Sequence, residues 1–437
     1  MRTTTAGSRA AKAALAIAAV TALGLTGCSA SPDNGGGEGS ATSGNVNFVY
    51  KGSAATQAQW SAVFELFREQ YPDIYLNARG IPSADWPTFA NAVATQIAGG
   101  AQIDIVQVGT EAQRLFASKG ILEPLDEFIS DDQDVVDEYF ADIDPNLVEW
   151  NTEYGSTDGK TYYMPAGYNT MVLYCNTSVF EEAGATLPEK DWTWDEFRAA
   201  AEQIKSATGK FVMPGASGYF TDVMPWLTTN GASTFNSDWS EPTFDTDAAI
   251  EAAEFAAGLV ADGLASEPGG ITDGNTQLAQ GNIACLGGGR WPVNGLRTLE
   301  AIDDLRVVNW PTQTGNGSPV GWDGFPITTS SQNKDAAWTF IKFLMSQEYA
   351  DFFTENGGSV VPARLSVATG PLFTANAPEG ITLLTEAISF ATPLPSPDRG
   401  AEAQTVIQEA WLNIISGNAD AADELADANQ KLADLLP

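Results

Sequence analysis

The stretch that most constrains the fold is residues 161–182, TYYMPAGYNTMVLYCNTSVFEE, which lies between two regions of alternating strand and helix patterns. Its Met-Pro-Ala-Gly segment favours a turn, and the run at residues 171–174 is short, rich in strand formers and bounded by polar residues. An irregular, aromatic-lined segment that leads into a buried strand is typical of a chain passing from one lobe to another. A hairpin within one large domain is the alternative, but the patterns on both sides favour a crossover.

The region before this crossover reads as a βαβαβ unit. Helical runs such as residues 60–67, with apolar side chains three and four positions apart, separate three short β-rich runs. The predicted strands are residues 45–50, 74–76 and 103–108. Such a unit forms a parallel sheet with helices on both faces, and ligands bind beyond the carboxyl ends of its strands. The loops at Ser53 and at residues 107–111 are therefore candidates for a binding cleft.

The region after the crossover also alternates helices and strands. A Thr193-Trp194-Asp195-Glu196 capping box begins one helix. The strand at residues 305–309 is a candidate second crossover, and residues 360–362 are a candidate third. The expected lobes are residues 45–165 with 310–361, and residues 166–309 with 362–437. The sequence thus predicts an α/β chain that folds into two lobes joined by three crossovers.

The N-terminus has the features of a bacterial lipoprotein signal. Residues 1–27 combine a basic start with an apolar run, residues 13–25, that is too short to span a bilayer. Leu25-Thr26-Gly27-Cys28 resembles a lipobox, in which the Cys is acylated after cleavage. Residues 28–44 are rich in Gly and Ser and predict a flexible tether. An ordinary export signal is the alternative, but the tether favours a protein held on the outer face of the bacterial cell membrane by lipidated Cys28.

The charge and the histidine content exclude several classes of function. The formal net charge of −35 argues against nucleic acid or anionic lipid as a partner. The chain has no histidine, which excludes His-based catalytic triads and His metal sites. The glycine run 287–289 lacks the spacing of a phosphate-binding loop. The 56 acidic residues leave the carboxylate pair of a glycosidase open, although no pair is singled out.

Aromatic residues recur in the predicted loops, at or near strand ends and turns. These positions are Tyr168, Tyr219, Phe220, Trp226, Trp239, Trp291 and Trp322. A single Trp is more often part of a core than of a ligand site. As a group flanked by Asn, Asp, Arg and Gly, however, they favour a sugar site, because flat aromatic faces suit sugar rings and the polar groups bond hydroxyls.

An ordered set of short motifs gives a likeness that covers essentially all of residues 45–437. After the lipobox, the motifs are Asp104-Ile105-Val106, Leu122-Glu123-Pro124-Leu125-Asp126, Leu173-Tyr174-Cys175-Asn176 with Phe180, Thr193-Trp194-Asp195-Glu196-Phe197, Gln280-Gly281-Asn282-Ile283-Ala284, and Ala337-Trp338-Thr339-Phe340 through Gly357 to Pro362. Together they resemble the family 1 extracellular solute-binding proteins of ABC importers. The chain departs from the family at Cys175 and Cys285, where members commonly have Tyr and Met.

The resemblance implies a periplasmic-binding-protein-like fold with a ligand cleft between two α/β lobes, which close on the ligand. It implies a monomer without catalysis, cofactor or metal, which delivers its ligand to the permease subunits of an importer. The aromatic-rich cleft is most similar to the carbohydrate group of the family. A polyamine or other cation binder is the first alternative, since Glu111 and Asp323 would supply carboxylates. A secreted glycan-active enzyme is the second.

Carrying the family's cleft positions over gives a set of expected ligand-binding residues. They are Ser53, Glu111, Tyr168, Asn169, Tyr219, Trp226, Arg290, Trp291, Trp322, Asp323 and Arg364. Within this set, we expect Trp291 and Trp322 to be stacking platforms for the ligand. With Cys28 acylated, Cys175 and Cys285 remain as an even pair in an exported protein, which predicts one disulfide bond in the second lobe. Two buried free thiols are the alternative.

Overall fold

Three sheets organise the chain in the computed structural model, which describes residues 40–52, 54–83 and 85–436. The first-lobe sheet is parallel and has Gly44–Lys51 in its centre, between Ile74–Ile81 and Ile105–Val106. The second-lobe sheet is antiparallel and has Val172–Asn176 in its centre, between Cys285–Gly288 and Leu305–Asn309. The predicted βαβαβ unit is confirmed, with its third strand shorter than expected.

A connecting sheet joins the two lobes and contains the crossovers. Its strands are Val108–Gly109, Pro165–Thr170, Ser318–Gly324, Val361–Pro362 and Ala391–Pro393. The first crossover and the third, expected at residues 360–362, both contribute strands to this sheet. The expected second crossover at residues 305–309 is wrong, because this strand pairs along its whole length with Val172–Asn176. The chain crosses instead at Ser318–Gly324.

Helices cover both lobe sheets. The α-helices are Ala54–Gln70, Trp86–Ala98, Thr110–Ser118, Asp126–Asp131, Gln133–Ala141, Pro145–Gly155, Thr177–Ala183, Trp194–Thr208, Met224–Thr228, Asp247–Ala261, Gly274–Ala279, Pro292–Thr298, Lys334–Met345, Gln347–Glu355, Leu365–Ala368, Pro371–Thr374, Leu383–Glu386, Gly400–Ile415 and Ala421–Ala433. Tyr219–Val223 is a π-helical turn, and Ile302–Asp304 and Ala387–Phe390 are 3₁₀ turns. In the described part of the chain, no helix combines the length and the hydrophobicity needed to cross a membrane.

The predicted capping box at Thr193 is confirmed. The Thr193 hydroxyl accepts a hydrogen bond from the Glu196 amide at 3.2 Å, and the Glu196 carboxylate accepts one from the Thr193 amide at 2.8 Å. Two amide donors that the first helical turn leaves unpaired are thereby satisfied. The helix Trp194–Thr208 consequently begins at a fixed point against the second-lobe core.

Side chains from distant parts of the chain complete the core of each lobe. In the first lobe, the Phe67 ring contacts the Phe340 ring, with centroids 5.0 Å apart. The helix Lys334–Met345 therefore returns to the first lobe after the second crossover. In the second lobe, the helices Asp247–Ala261, Gly400–Ile415 and Ala421–Ala433 pack on one another. Each lobe is thus built from segments on both sides of a crossover.

A disulfide bond joins Cys175 and Cys285 across the second-lobe sheet. The two residues lie opposite each other on the paired strands Val172–Asn176 and Cys285–Gly288, and their sulfur atoms are 2.01 Å apart. Both side chains are fully buried. The bond closes a loop with a sequence separation of 110 residues.

Replacing both cysteines, Cys175→Ala with Cys285→Ala, should lower the free energy of unfolding by about 2–4 kcal/mol, because the unfolded chain regains the entropy that a long closed loop removes. Equilibrium urea unfolding measures the loss. A reducing agent should destabilise the wild-type protein and leave the double variant unchanged. A wild-type protein that is equally stable with and without reductant would contradict the prediction.

Candidate functional site

A cavity of about 620 Å³ lies in the cleft between the two lobes. Its walls come from strand ends, helix starts and the connecting sheet. The side chains that argue for a function are Lys51, Asp85, Trp86, Gln107, Glu111, Asn169, Tyr219, Phe220, Trp291, Asp323, Gln404 and Gln408. A volume of this size is typical of sites for small-molecule ligands.

Two half-buried carboxylates face the cavity from the first lobe and the connecting sheet. Asp323 accepts a hydrogen bond of 2.8 Å from the Gln107 side chain. Burial raises the pKa of Asp323 to about 6, against the opposing effects of that hydrogen bond and of Lys51. Burial likewise raises the pKa of Glu111 to about 7, and the negative charges of Asp323 and Asp85 add to the increase. Both groups therefore titrate near neutral pH in the unliganded protein.

Lys51 and Trp86 form a third side of the cavity. The Lys51 ammonium lies 5.5 Å from the centre of the Trp86 ring, within the range of a cation–π interaction. Trp86 packs directly on the backbone of Gly109, where a Cβ atom would lie 2.8 Å from the ring. Only glycine fits at that position, so the close approach fixes the Trp86 ring in the cavity wall.

An aromatic wall made by Phe220 and Trp291 faces the cavity from the second lobe. The two ring centroids lie 6.2 Å apart, and Trp291 is 37% exposed. The Asn169 side-chain oxygen accepts the Arg290 amide proton at 2.8 Å, and a Cβ atom at Gly289 would lie 2.4 Å from the Trp291 ring. Trp291 is therefore held in place yet accessible, as a stacking platform requires.

Tyr219 lines the cavity with its ring but not with a free hydroxyl. Its hydroxyl hydrogen-bonds to Thr234 Oγ1 at 2.7 Å and donates to the Pro395 carbonyl at 3.0 Å. Tyr219 begins a π-helical turn, a geometry that occurs frequently at functional sites. The turn carries Phe220 forward into the aromatic wall.

The expectation that Trp322 is a stacking platform is corrected by the structure. Its side chain is 1% exposed, and its indole N–H donates to Asn151 Oδ1 at 3.2 Å. Successive side chains of a strand point to opposite faces. Since Asp323 points into the cavity, the Trp322 ring points to the other side of the connecting sheet, towards the helix Pro145–Gly155. Trp322 supports the cavity wall from behind.

Three further expected ligand residues are also structural. Arg364, 5% exposed, pairs with Glu138 at 2.8 Å and Asp142 at 3.1 Å and donates to the Met345 carbonyl, so its charge is already engaged. Trp226 lies within the second-lobe core, 5.3 Å from Trp310 between ring centroids. Tyr168 is fully buried. None of the three lies among the cavity-lining residues of the described chain.

Arg290 and Ser53 are the last two residues of the expected set. The Arg290 side chain is buried, with its guanidinium 4.6 Å from the centre of the Phe373 ring, and its backbone positions Asn169 and Trp291. Ser53 lies outside the described residues. The structure thus brings together Glu111, Asn169, Tyr219, Trp291 and Asp323 of the expected set, and the buried Trp322 also belongs to the cavity wall.

Several cavity residues were not predicted from the sequence. Lys51 ends the strand Gly44–Lys51 and Gln107 directly follows the strand Ile105–Val106, so position at a strand end was the available signal. Gln404 and Gln408 lie four positions apart on one face of the helix Gly400–Ile415. Polar residues at that spacing are usually a solvated face, and only tertiary structure reveals that they face a cavity.

The raised pKa values of Glu111 and Asp323 predict that, at high pH, the ionised carboxylates of the unliganded site destabilise the folded protein. Between its ordinary pKa of 4.5 and its folded pKa of about 7, Glu111 binds more protons in the folded state, so stability falls as pH rises through this window. Glu111→Gln should therefore raise the melting temperature at pH 8 by about 1–3 °C and have little effect at pH 4. Differential scanning calorimetry tests this, with the exposed Asp303→Asn as control. A lower melting temperature at pH 8 would contradict it.

Comparison with known proteins gives matches over most of the chain. The profile of the family described as bacterial extracellular solute-binding protein matches residues 51–351. A putative binding protein of Brucella abortus is 27% identical over 409 residues, which cover 91% of this chain and 94% of the relative. The ABC substrate-binding protein of Listeria monocytogenes solved in complex with cycloalternan has a TM-score of 0.78 at 22% identity, covering 90% of this chain and 98% of its own. The maltose-bound MalE3 of T. maritima has a TM-score of 0.76, also at 22% identity, covering 90% and 100%.

Proposed function

The chain belongs to the bacterial extracellular solute-binding proteins, and from this premise we propose that it captures a sugar or oligosaccharide in its cleft and delivers it to an ABC importer. Members of the family bind solutes and are not enzymes, and neither is this chain. The two lobes enclose the ligand, and closure of the lobes presents the loaded protein to the permease subunits. The protein works as a monomer in this proposal.

The observation that carries the sugar assignment is the combination of aromatic faces and hydrogen-bonding groups in one cavity. Trp86, Phe220 and Trp291 offer apolar faces for the C–H side of sugar rings. Asn169, Asp323 and the two glutamines offer donors and acceptors for hydroxyl groups. Relatives named lactose-binding and arabinooligosaccharide-binding proteins support the same ligand class.

A thermal-shift screen tests the proposal directly. The panel contains mono-, di- and oligosaccharides, and a ligand present at a hundred times its dissociation constant should stabilise the folded protein by ~2.7 kcal/mol. Calorimetry then confirms each hit with an affinity. Absence of stabilisation by every saccharide, together with stabilisation by a polyamine, would replace the sugar assignment with the cation-binding alternative.

We further propose that Cys28 becomes the N-terminus and carries the lipid that holds the protein at the outer face of the cell membrane. The motif Leu25-Thr26-Gly27-Cys28 and the tether-like composition that follows support this. Cys28 lies outside the described residues.

Replacing the lipid acceptor should release the protein from the membrane. We expect Cys28→Ala to shift the mature protein to the soluble fraction or to leave it unprocessed, because no thiol remains to be acylated. Membrane fractionation with mass spectrometry of the N-terminus measures both results. Ser29→Ala is the matched control and should behave as wild type. Retention of processed Cys28→Ala protein in the membrane would contradict the prediction.

A further inference from the structure

The charged groups that line the cleft are unbalanced. They are Lys51, Asp85, Glu111 and Asp323, so carboxylates outnumber cations three to one in the described wall. Lys51 lies over the Trp86 ring, and its charge opposes the increase in the pKa of both Glu111 and Asp323 without forming a salt bridge to either. Asp323 accepts one neutral hydrogen bond, from Gln107. For Glu111, the hydrogen bond to its carboxylate comes from its own backbone amide. The described wall of the cavity therefore holds more carboxylates than its single cation, Lys51, can balance.

A buried amide faces the same space from the second lobe. Gln404 is 8% exposed, lines the cavity, and has no hydrogen-bond partner among residues 40–52, 54–83 and 85–436. Its helix begins against the first lobe, since a Cβ atom at Gly400 would lie 3.3 Å from the Glu111 carbonyl oxygen. Because this amide opens to the cavity and is not paired within the described protein, it is available to hydrogen-bond a ligand. Gln404 is thus a second, independent indication of a polar ligand group near Glu111.

We propose that the ligand is a saccharide with a basic amino group, which the protein holds between the Glu111 and Asp323 carboxylates with the Gln404 amide oxygen as a further acceptor. This inference rests on the proposed function and narrows its ligand class. An ammonium group donates three hydrogen bonds, and its charge offsets the excess of carboxylates. A hydroxyl group bonds a carboxylate but leaves the charge in place. The adjacent Trp291 face also suits a cation-bearing ring.

The inference predicts how affinity depends on pH. Burial raises the pKa of Glu111 to about 7 and of Asp323 to about 6 in the empty cleft. A cation binds the ionised carboxylates, so binding lowers both pKa values and releases protons. Affinity should fall as pH is lowered from 7 to 5, because the carboxylates become protonated, and it should also fall above about pH 8, because the amine of the sugar loses its proton. The other charged groups facing these carboxylates are Lys51 and Asp85, while burial raises the pKa of the lining tyrosines Tyr219 and Tyr349, which stay neutral.

Isothermal titration calorimetry of the full chain with matched sugar pairs tests the inference. Each pair shares a carbon skeleton and differs in the amino group: glucosamine against glucose, and the fully deacetylated chitosan disaccharide against cellobiose. At pH 7, where the sugar amine is protonated, an aminated sugar should bind at least about tenfold tighter than its neutral counterpart, which corresponds to about 1.4 kcal/mol. Proton release, measured in buffers of different ionisation enthalpy, provides a readout that needs no variant.

Variants assign the effect to the named residues. Glu111→Gln and Asp323→Asn should remove most of the preference for the aminated sugar, whereas the exposed Asp303→Asn alters net charge equally and should retain it. Equal or tighter binding of the neutral sugars overturns the inference and leaves the proposed function standing. Binding of neutral saccharides without any binding of aminated sugars likewise overturns the inference and leaves the proposed function standing. Binding of spermidine with no binding of any saccharide overturns both.

Discussion

Replacing Trp322 with alanine is expected to lower the free energy of unfolding of the unliganded protein by about 3–5 kcal/mol, the usual cost of removing a fully buried tryptophan. The ring is 1% exposed and packs behind the connecting sheet. Its removal leaves a cavity beside the crossover strand Ser318–Gly324 and deprives Asn151 Oδ1 of the indole N–H that it accepts at 3.2 Å. Both the cavity and the lost hydrogen bond weaken the connecting sheet, which joins the lobes.

Urea unfolding of the unliganded protein measures this loss. Trp322→Phe is the matched variant, because it keeps most of the packed volume and loses the hydrogen bond, so it should cost clearly less than the alanine variant. Affinity for the saccharide should change little in Trp322→Phe. If Trp322→Ala melted like wild type and lost its ligand, the ring would be a binding surface, and the position of the strand would be wrong.

The sequence predicted the parts of the fold that depend on local spacing. Apolar side chains at positions 60, 63 and 67 recur with the helical period, and the structure buries Trp60, Val63 and Phe67 on the first-lobe sheet. The capping box fixed the start of one helix for the same reason, since all its partners lie within four residues. Such patterns depend on neighbours in the chain, which a sequence shows directly.

The sequence does not show which strand pairs with which. The apolar run Leu305–Asn309 reads equally well as a crossover and as a lobe strand, and only its pairing with Val172–Asn176 decides. The same holds for Trp322 and Asp323. Whichever of two neighbours enters the cleft, the other must face away, and the register of Ser318–Gly324 against Pro165–Thr170 sets that choice.

Two further errors at the site concern Arg364, whose ion-pair partners are distant in the sequence, and Gln404. The resemblance to the family places Arg364 among the expected ligand-binding residues. Its partners Glu138 and Asp142 precede it by 226 and 222 residues, and no local pattern indicates the pairing. Gln404 shows the opposite case. It reads as a solvated helix position and faces the ligand cavity instead. Sequence position identified the loops of the cleft but not all the side chains that enter it.

Trp291→Ala should have the contrary effect to Trp322→Ala, a loss of ligand affinity with little loss of stability. Trp291 is 37% exposed and contributes an accessible ring to the aromatic wall with Phe220. Removing a ring at the cavity surface leaves no enclosed void in the core, so the melting temperature of the unliganded protein should fall much less than in Trp322→Ala. The ligand, however, loses the flat face on which a sugar ring stacks.

The expected loss of affinity for the saccharide found by the screen is about 10–100-fold, which corresponds to about 1.4–2.8 kcal/mol and is typical of an aromatic residue at the centre of a binding site. Calorimetric titration measures it. Trp291→Phe should recover part of the affinity, since it restores a smaller aromatic face. Leu299→Ala removes a similarly exposed apolar side chain, 41% exposed and outside the cavity, and should bind as wild type. Unchanged affinity in Trp291→Ala would show that ligand stacks elsewhere, because the held, accessible ring is the feature that makes this wall a platform.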